Sequence, residues 1–124
     1  MNAVLQAATT IAKTTQTLIG SEISCRGQSY LTLYIDYVKG EETGLIITPL
    51  VLRETGGTEY AYAERTATGG AITLTDTKIT LTASKSSYMT FDVTGIEIMK
   101  FTQGGSNNDG VTLGTLAAAY SLKE

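Results

Sequence analysis

The clearest pattern in the chain is the alternation of apolar and polar positions from Ser29 to Arg53, SYLTLYIDYVKGEETGLIITPLVLR. Leu31, Leu33, Ile35 and Tyr37 fall on one face of an extended run, with Tyr30, Thr32, Tyr34, Asp36 and Val38 on the other. That is the signature of a half-buried strand. KGEETG then makes a short charged turn, and LIITPLVL returns as a run apolar on both faces, as expected of a central strand. The stretch predicts a long β-hairpin. Pro49 has no amide proton, so it must sit at a bulge or on a side of its strand without a ladder partner.

The same rhythm continues on either side. QTLIGSEIS (16–24) predicts a first strand bent at Gly20, and CRGQ turns the chain. Beyond the hairpin, ETGGT is a turn, TEYAYAER sets Tyr60 and Tyr62 on one face, and TATGGA is another turn. ITLTDTKITLTAS holds two short runs, Ile72 with Leu74 and Ile79 with Leu81, and KSSYMTFDV directs Met89, Phe91 and Val93 inward. IEIMKF, the loop TQGGSNNDG and a final run VTLGTLAAAY complete the chain, with a short helix over AAAYSLKE as the alternative ending. Strands recurring at this spacing between glycine or Asx turns predict an all-β fold, an antiparallel β-sandwich of about eight or nine strands in a jelly-roll arrangement.

Residues 1–15 break the rhythm. Val4, Leu5, Ala8, Ile11 and Ala12 have weakly helical spacing, but Thr9, Thr10, Thr14 and Thr15 oppose a helix. So few large apolar groups offset little ordering entropy, and the expectation is a flexible N-terminal arm over 1–15 that orders against a partner, preceding a sandwich domain over 16–124.

Composition sharpens the picture in a few places. A chain of 124 residues suits one domain. Threonine occurs at 22 positions, and its stiff branched side chain favours sheet. The net charge of −3 arises from scattered residues, giving neither a basic footprint for direct nucleic-acid binding nor a polybasic membrane patch. No run approaches the roughly 20 apolar residues of a membrane span, and the first residues lack signal-peptide character, so synthesis in the cytoplasm is expected. Cys25 is the single cysteine and is expected to be a buried, inert thiol.

The candidate chemistry is sparse. The chain has no histidine, which removes the commonest general base and histidine-bearing metal sites. GSNNDG (105–110) has the glycines of a phosphate loop, but Val111 stands where the lysine must be. Asn107, Asn108 and Asp109 offer oxygens without the alternation or closing glutamate of a calcium loop. Paired carboxylates could serve a glycosidase, yet Glu41 and Glu42 sit in a turn, where they read as a solubilising tip or a projecting contact. Glu54, Glu59 and Glu64 read as edge charges. No catalytic residue, metal or cofactor is expected. Tyr60 and Tyr62 fit core packing, a subunit contact or sugar stacking. A carbohydrate-binding module using them and the 107–109 loop therefore stays open.

YLTLYIDYVKGEETGL (30–45) resembles a stretch recurrent in small virion proteins of tailed bacteriophages, and YMTFDVTGIEIMKF (88–101) with its following glycine loop and small-residue strand is similar to their closing part. The resemblance implies a β-sandwich structural subunit in the virion. It would decorate or cement a capsid or sit at the neck or tail, as a homo-oligomer such as a trimer, with the major capsid protein or other virion proteins as partners. Such a subunit would offer contacts through the arm (Val4, Leu5, Ile11), the outer tyrosines Tyr30 and Tyr34, the Glu41–Glu42 tip, and Tyr60 with Tyr62.

Overall fold

The computed structural model describes residues 2–106 and 112–124. Among the described residues there are twelve strands and no helix. The first six are β1 (Asn2–Thr10), β2 (Thr17–Leu18), β3 (Ile23–Ser24), β4 (Tyr30–Val38), β5 (Gly44–Leu52) and β6 (Tyr60–Ala61). Then come β7 (Ala63–Thr68), β8 (Ala71–Asp76), β9 (Ile79–Leu81), β10 (Lys85–Asp92), β11 (Ile98–Ser106) and β12 (Thr115–Lys123). One sheet has the order β1-β12-β4-β10. The other centres on β11 and β5, with β2 and β3 along the free side of β11 and β6 and β9 along that of β5. Every pairing is antiparallel.

The alternation in β4 decides how the two sheets meet. Leu31, Leu33, Ile35 and Tyr37 are buried in a core shared with Leu45 and Ile47 of β5 and Met99 and Phe101 of β11. Apolar surface on both sheets is thereby removed from water at once, the arrangement of a sandwich. Phe91 of β10 lies 5.3 Å, ring centre to ring centre, from Phe101, and Tyr62 meets it edge-on at 5.2 Å. The doubly apolar β5 is central, as its composition predicts, but it forms no hairpin with β4: the chain crosses at the turn from one sheet to the other, where β5 pairs with β11 and β4 stays between β12 and β10, so that both strands turn an apolar face into the core between the sheets. The helical alternative for AAAYSLKE fails, because the chain stays extended to Lys123 and sends Leu116 and Ala118 into the core.

Residues expected as a free arm form an edge strand instead. β1 runs against β12 from Asn2 opposite Ser121 to Thr10 opposite Thr115. The ladder slips between Val4 and Gln6, and Leu5, at the slip, is buried in the core, as is Ile11. Backbone hydrogen bonds plus these two apolar anchors supply what the sparse side chains alone could not.

The outer edge of the β5 sheet has an interruption with a local cause. Val51 and Leu50 pair with Tyr60 and Ala61, after which the chain leaves for the β7–β8 hairpin and returns to pair Ile79–Leu81 with Leu45–Ile47. Pro49 lies at the departure point. Its carbonyl accepts from the Tyr62 amide at 3.3 Å, but it has no amide to return the bond. The Tyr62 carbonyl instead accepts from the Thr77 amide at 2.8 Å, which closes the base of the hairpin. At the far end Gly69 and Gly70 both take positive φ, 57° and 82°, as a two-residue hairpin turn of the tight primed type requires.

Phe91 touches both Tyr62 and Phe101, so its removal opens the core where the sheets and the hairpin base meet. Phe91→Ala is expected to cost about 3–5 kcal/mol in urea unfolding, while Tyr88→Ala on the exposed side of the same strand costs under about 1 kcal/mol.

Candidate functional site

Three features stand out from the sandwich: an outer sheet face, the β4–β5 turn, and the projecting hairpin. The outer face follows from β4's second set of side chains. Tyr34 pairs with Tyr88 of β10 and Ala119 of β12, and Ala119 pairs with Val4 of β1. The result is one row across all four strands, Val4–Ala119–Tyr34–Tyr88, with Val4 76% and Tyr88 68% exposed. The two tyrosine rings lie 6.3 Å apart. One row along, Ala117, Asp36 and Ser86 align, and the Ser86 hydroxyl donates to the Asp36 carboxylate. On the other side Thr32 and Thr90 share a hydrogen bond of 2.9 Å. Tyr30 is exposed at the end of this face. Uncharged aromatic and small residues thus dominate it, with Asp36 the one carboxylate in its middle rows.

The β4–β5 turn differs from its expected form. Glu41 is exposed, but Glu42 is 0% exposed, so the turn is no solvated tip at that residue. Its carboxylate accepts the Tyr37 hydroxyl and the amides of Gly40 and Gly114, the last two at 3.0 Å. Tyr37 brings its hydroxyl here because it is the last core-facing residue of β4, and a buried phenol needs a partner. Gly40 and Gly114 let two backbones approach: a side chain at Gly114 would run into the Val38 carbonyl, the Gly40 amide and the Glu42 carboxylate. Glu41 adds a second tie, its carboxylate accepting the Thr112 amide at 2.9 Å while its own amide donates to the Thr112 carbonyl. Burial pushes the Glu42 acid up, but the Tyr37 hydroxyl and the surrounding amides outweigh it and hold the carboxyl below its ordinary range. Burial, the bond to Glu42 and its charge push the Tyr37 phenol well up. Both groups are structural in this geometry.

The other expected site residues are scattered. Leu5 and Ile11 are spent in the core, whereas Val4 reaches the outer face. Tyr60 is exposed, but Tyr62 turns against Phe91 and donates its hydroxyl to the Asp92 carbonyl at 2.9 Å, so the two rings do not share an open platform. Glu59 is ion-paired with Lys100 and Glu97 with Arg26. The Asn107–Asp109 oxygens and most of the GSNNDG loop lie outside the described residues. Cys25 is fully buried, and desolvation pushes its thiol up to about 11. The mixed-charge groove of about 850 Å³ beside it is lined by Glu22, Arg26, Arg53, Glu54 and Glu97. Two of those carboxylates are committed, Glu97 to Arg26 and Glu22 to the Gly56 amide. What sequence reading missed was the apolar side of the hairpin, where Ile72 and Leu74 are 59% and 67% exposed; the signal was an alternation with no second apolar run to cover it.

Among the solved structures that this chain resembles, two superpose over the full fold. The SPBc2 prophage-derived protein YomS superposes with a TM-score of 0.60 at 18% identity, covering 99% of this chain and 92% of that one. A protein of Bacillus endospore appendages, described as a family of disulfide-linked pili, superposes with a TM-score of 0.53 at 13% identity, covering 100% and 88%. At these identities the likeness is one of fold. No protein-family model and no curated protein matches the chain.

Glu42→Gln is expected to destabilise the protein by about 2–3 kcal/mol at neutral pH, because it removes a buried charge-assisted acceptor. Since the folded carboxyl titrates below its ordinary value, its stabilisation is present above the unfolded value of about 4.3 and is lost as pH falls through the folded one. Urea midpoints of the two proteins should therefore converge in acid, and parallel pH profiles would remove Glu42 as the cause. Cys25 should resist a disulfide reagent in the native state at pH 8 and react within the time of unfolding when urea is added.

Proposed function

We propose that this chain is a non-enzymatic structural subunit of a bacteriophage particle, most specifically a decoration or cement protein that binds across capsid subunits. The observation that carries this reading is the exposed Val4–Ala119–Tyr34–Tyr88 row, a flat aromatic and small-residue surface on an otherwise self-contained sandwich. Surfaces of that make-up suit contact with another protein better than contact with water. The strand order supports the jelly-roll reading: with β2 and β3 taken as one position and β6 and β9 as another, the sheets run 1-8-3-6 and 2-7-4-5, two interleaved four-strand sheets as in viral capsid domains. The prophage origin of one fold neighbour lends further support. Adhesion would be the mechanism, since a protein that binds only the assembled shell stabilises it by mass action.

The pilus neighbour favours a second reading, a neck or tail component, because a related sandwich there builds an elongated assembly. Disulfide linkage does not transfer with it, as Cys25 is sealed in the core.

Counting copies per particle separates the two. Numbers on the order of hundreds, following capsid symmetry, fit decoration, and about a dozen or fewer fit the neck or tail. Particles lacking the chain should release DNA at a lower temperature than complete ones; equal heat stability would count against the cement role.

A further inference from the structure

We infer that the β7–β8 hairpin is a docking arm for a second copy of this chain, seating its apolar side on the outer face of the β4 sheet in a head-to-tail contact. Every residue from Glu64 to Asp76 is exposed, so the hairpin is held by its own ladder and its base alone. Two-stranded ribbons are marginal in water and gain stability when one face is covered. The pairing divides this ribbon into unlike sides. Ala67 lies opposite Ile72 and Arg65 opposite Leu74 on one side, while Thr66 opposite Thr73 and Glu64 opposite Thr75 make the other polar.

The apolar side matches a surface on the same chain in spacing and in charge. Rows on one face of a sheet repeat every second residue, about 6.8 Å, and paired strands lie about 4.8 Å apart. If the Ala67–Ile72 row is laid on the Ala117–Asp36 row, with β7 over β4 and β8 over β12, the Arg65–Leu74 row falls on the Ala119–Tyr34 row. Arg65 then lies on the Tyr34 ring and reaches Asp36 past the small Ala67, while Ile72 and Leu74 cover Ala117 and Ala119. Among the described residues Arg65 has no partner and Asp36 is bonded only to the Ser86 hydroxyl. Asp76, opposite Ala63, shares this side of the hairpin and in this register falls on Ser121, away from Asp36. The pairing of Arg65 with Asp36 therefore favours this register over those that bring the two carboxylates together. Because the hairpin of one copy meets the sheet face of the next, the contact is heterologous and yields a ring if the rotation closes or a filament if it does not.

The inference rests on the reading of the chain as an assembling subunit, but its test is separate from copy counting in particles. Sedimentation velocity of the purified full chain over a concentration series should show self-association. Arg65→Asp and Asp36→Arg should each weaken it by roughly tenfold or more through like-charge contact, and the two combined should restore it to near the original strength. Ile72→Thr with Leu74→Thr, on exposed positions that leave the circular dichroism unchanged, should also weaken it. A wild-type chain that stays monomeric, single reversals without effect, or a combination that fails to restore association would each overturn the contact. A monomeric chain still found in particles would sink the contact and leave the structural role standing.

Discussion

A carboxylate can leave water only where donors replace its hydration, and Glu42 finds them in the Tyr37 hydroxyl and the amides of Gly40 and Gly114. Its position explains why so much depends on it. Four connections cross between the sheets at this end of the sandwich: from β1 to β2, from β4 to β5, from β9 to β10, and from β11 to β12. Thr10, Thr115 and Val38 are neighbours in one sheet there, and Ser106 and Gly44 in the other. Glu42 ties the β4–β5 connection to the β11–β12 connection. Further bonds, Ile11 amide to Gly114 carbonyl and Gly105 amide to Ala12 carbonyl, tie the β1–β2 connection to both ends of the β11–β12 connection. The opposite end is closed by neutral backbone bonds, Cys25 to Glu97 and Val93 to Ser29, so the buried charge marks the end where the backbone alone leaves donors over.

Those donors are why glycine stands at 40 and 114. A side chain at either position would collide with backbone across the crossing, and the amides could not converge on one carboxylate. Sequence reading placed Glu42 in water because charge in a glycine turn is most often solvated, and because the decisive partner, Gly114, lies 72 residues away. The nearer signal was Tyr37: a phenol on the core face of a strand end implies a buried acceptor, and the carboxylate five residues on was the available one.

Legibility followed the range of the interactions. The strands β4 and β5, the central place of β5 and the inward turn of Phe91 and Val93 could be read because period-2 alternation reports which side faces apolar neighbours. That β4 and β5 part into different sheets could not, because alternation does not say which strand is the ladder partner. β1 could not, since what holds it is a backbone ladder to β12 that any sequence can make, plus a slip in register that turns Leu5 inward. Ile72 and Leu74 misled in the opposite sense. Their alternation correctly marked a strand, yet nothing in the alternation says whether the covering surface belongs to the same molecule. Tyr60 and Tyr62 share a face in sequence, but the chain leaves its ladder between them, and only Tyr62 is drawn onto Phe91.

That departure shows how the fold accommodates a projecting arm without weakening its core. In an unbroken strand the Tyr62 carbonyl would be taken by the residue opposite, but Pro49 has no amide to take it, and Thr77 does so instead. The missing donor therefore sets where the hairpin leaves, and Tyr62 anchors that point through its ring on Phe91 and its hydroxyl on Asp92. The anchor makes the base of the hairpin part of the core, while its outer residues contribute nothing to it. Substitutions along Glu64–Asp76, where every residue is exposed, are thus decoupled from the packing that holds the two sheets together.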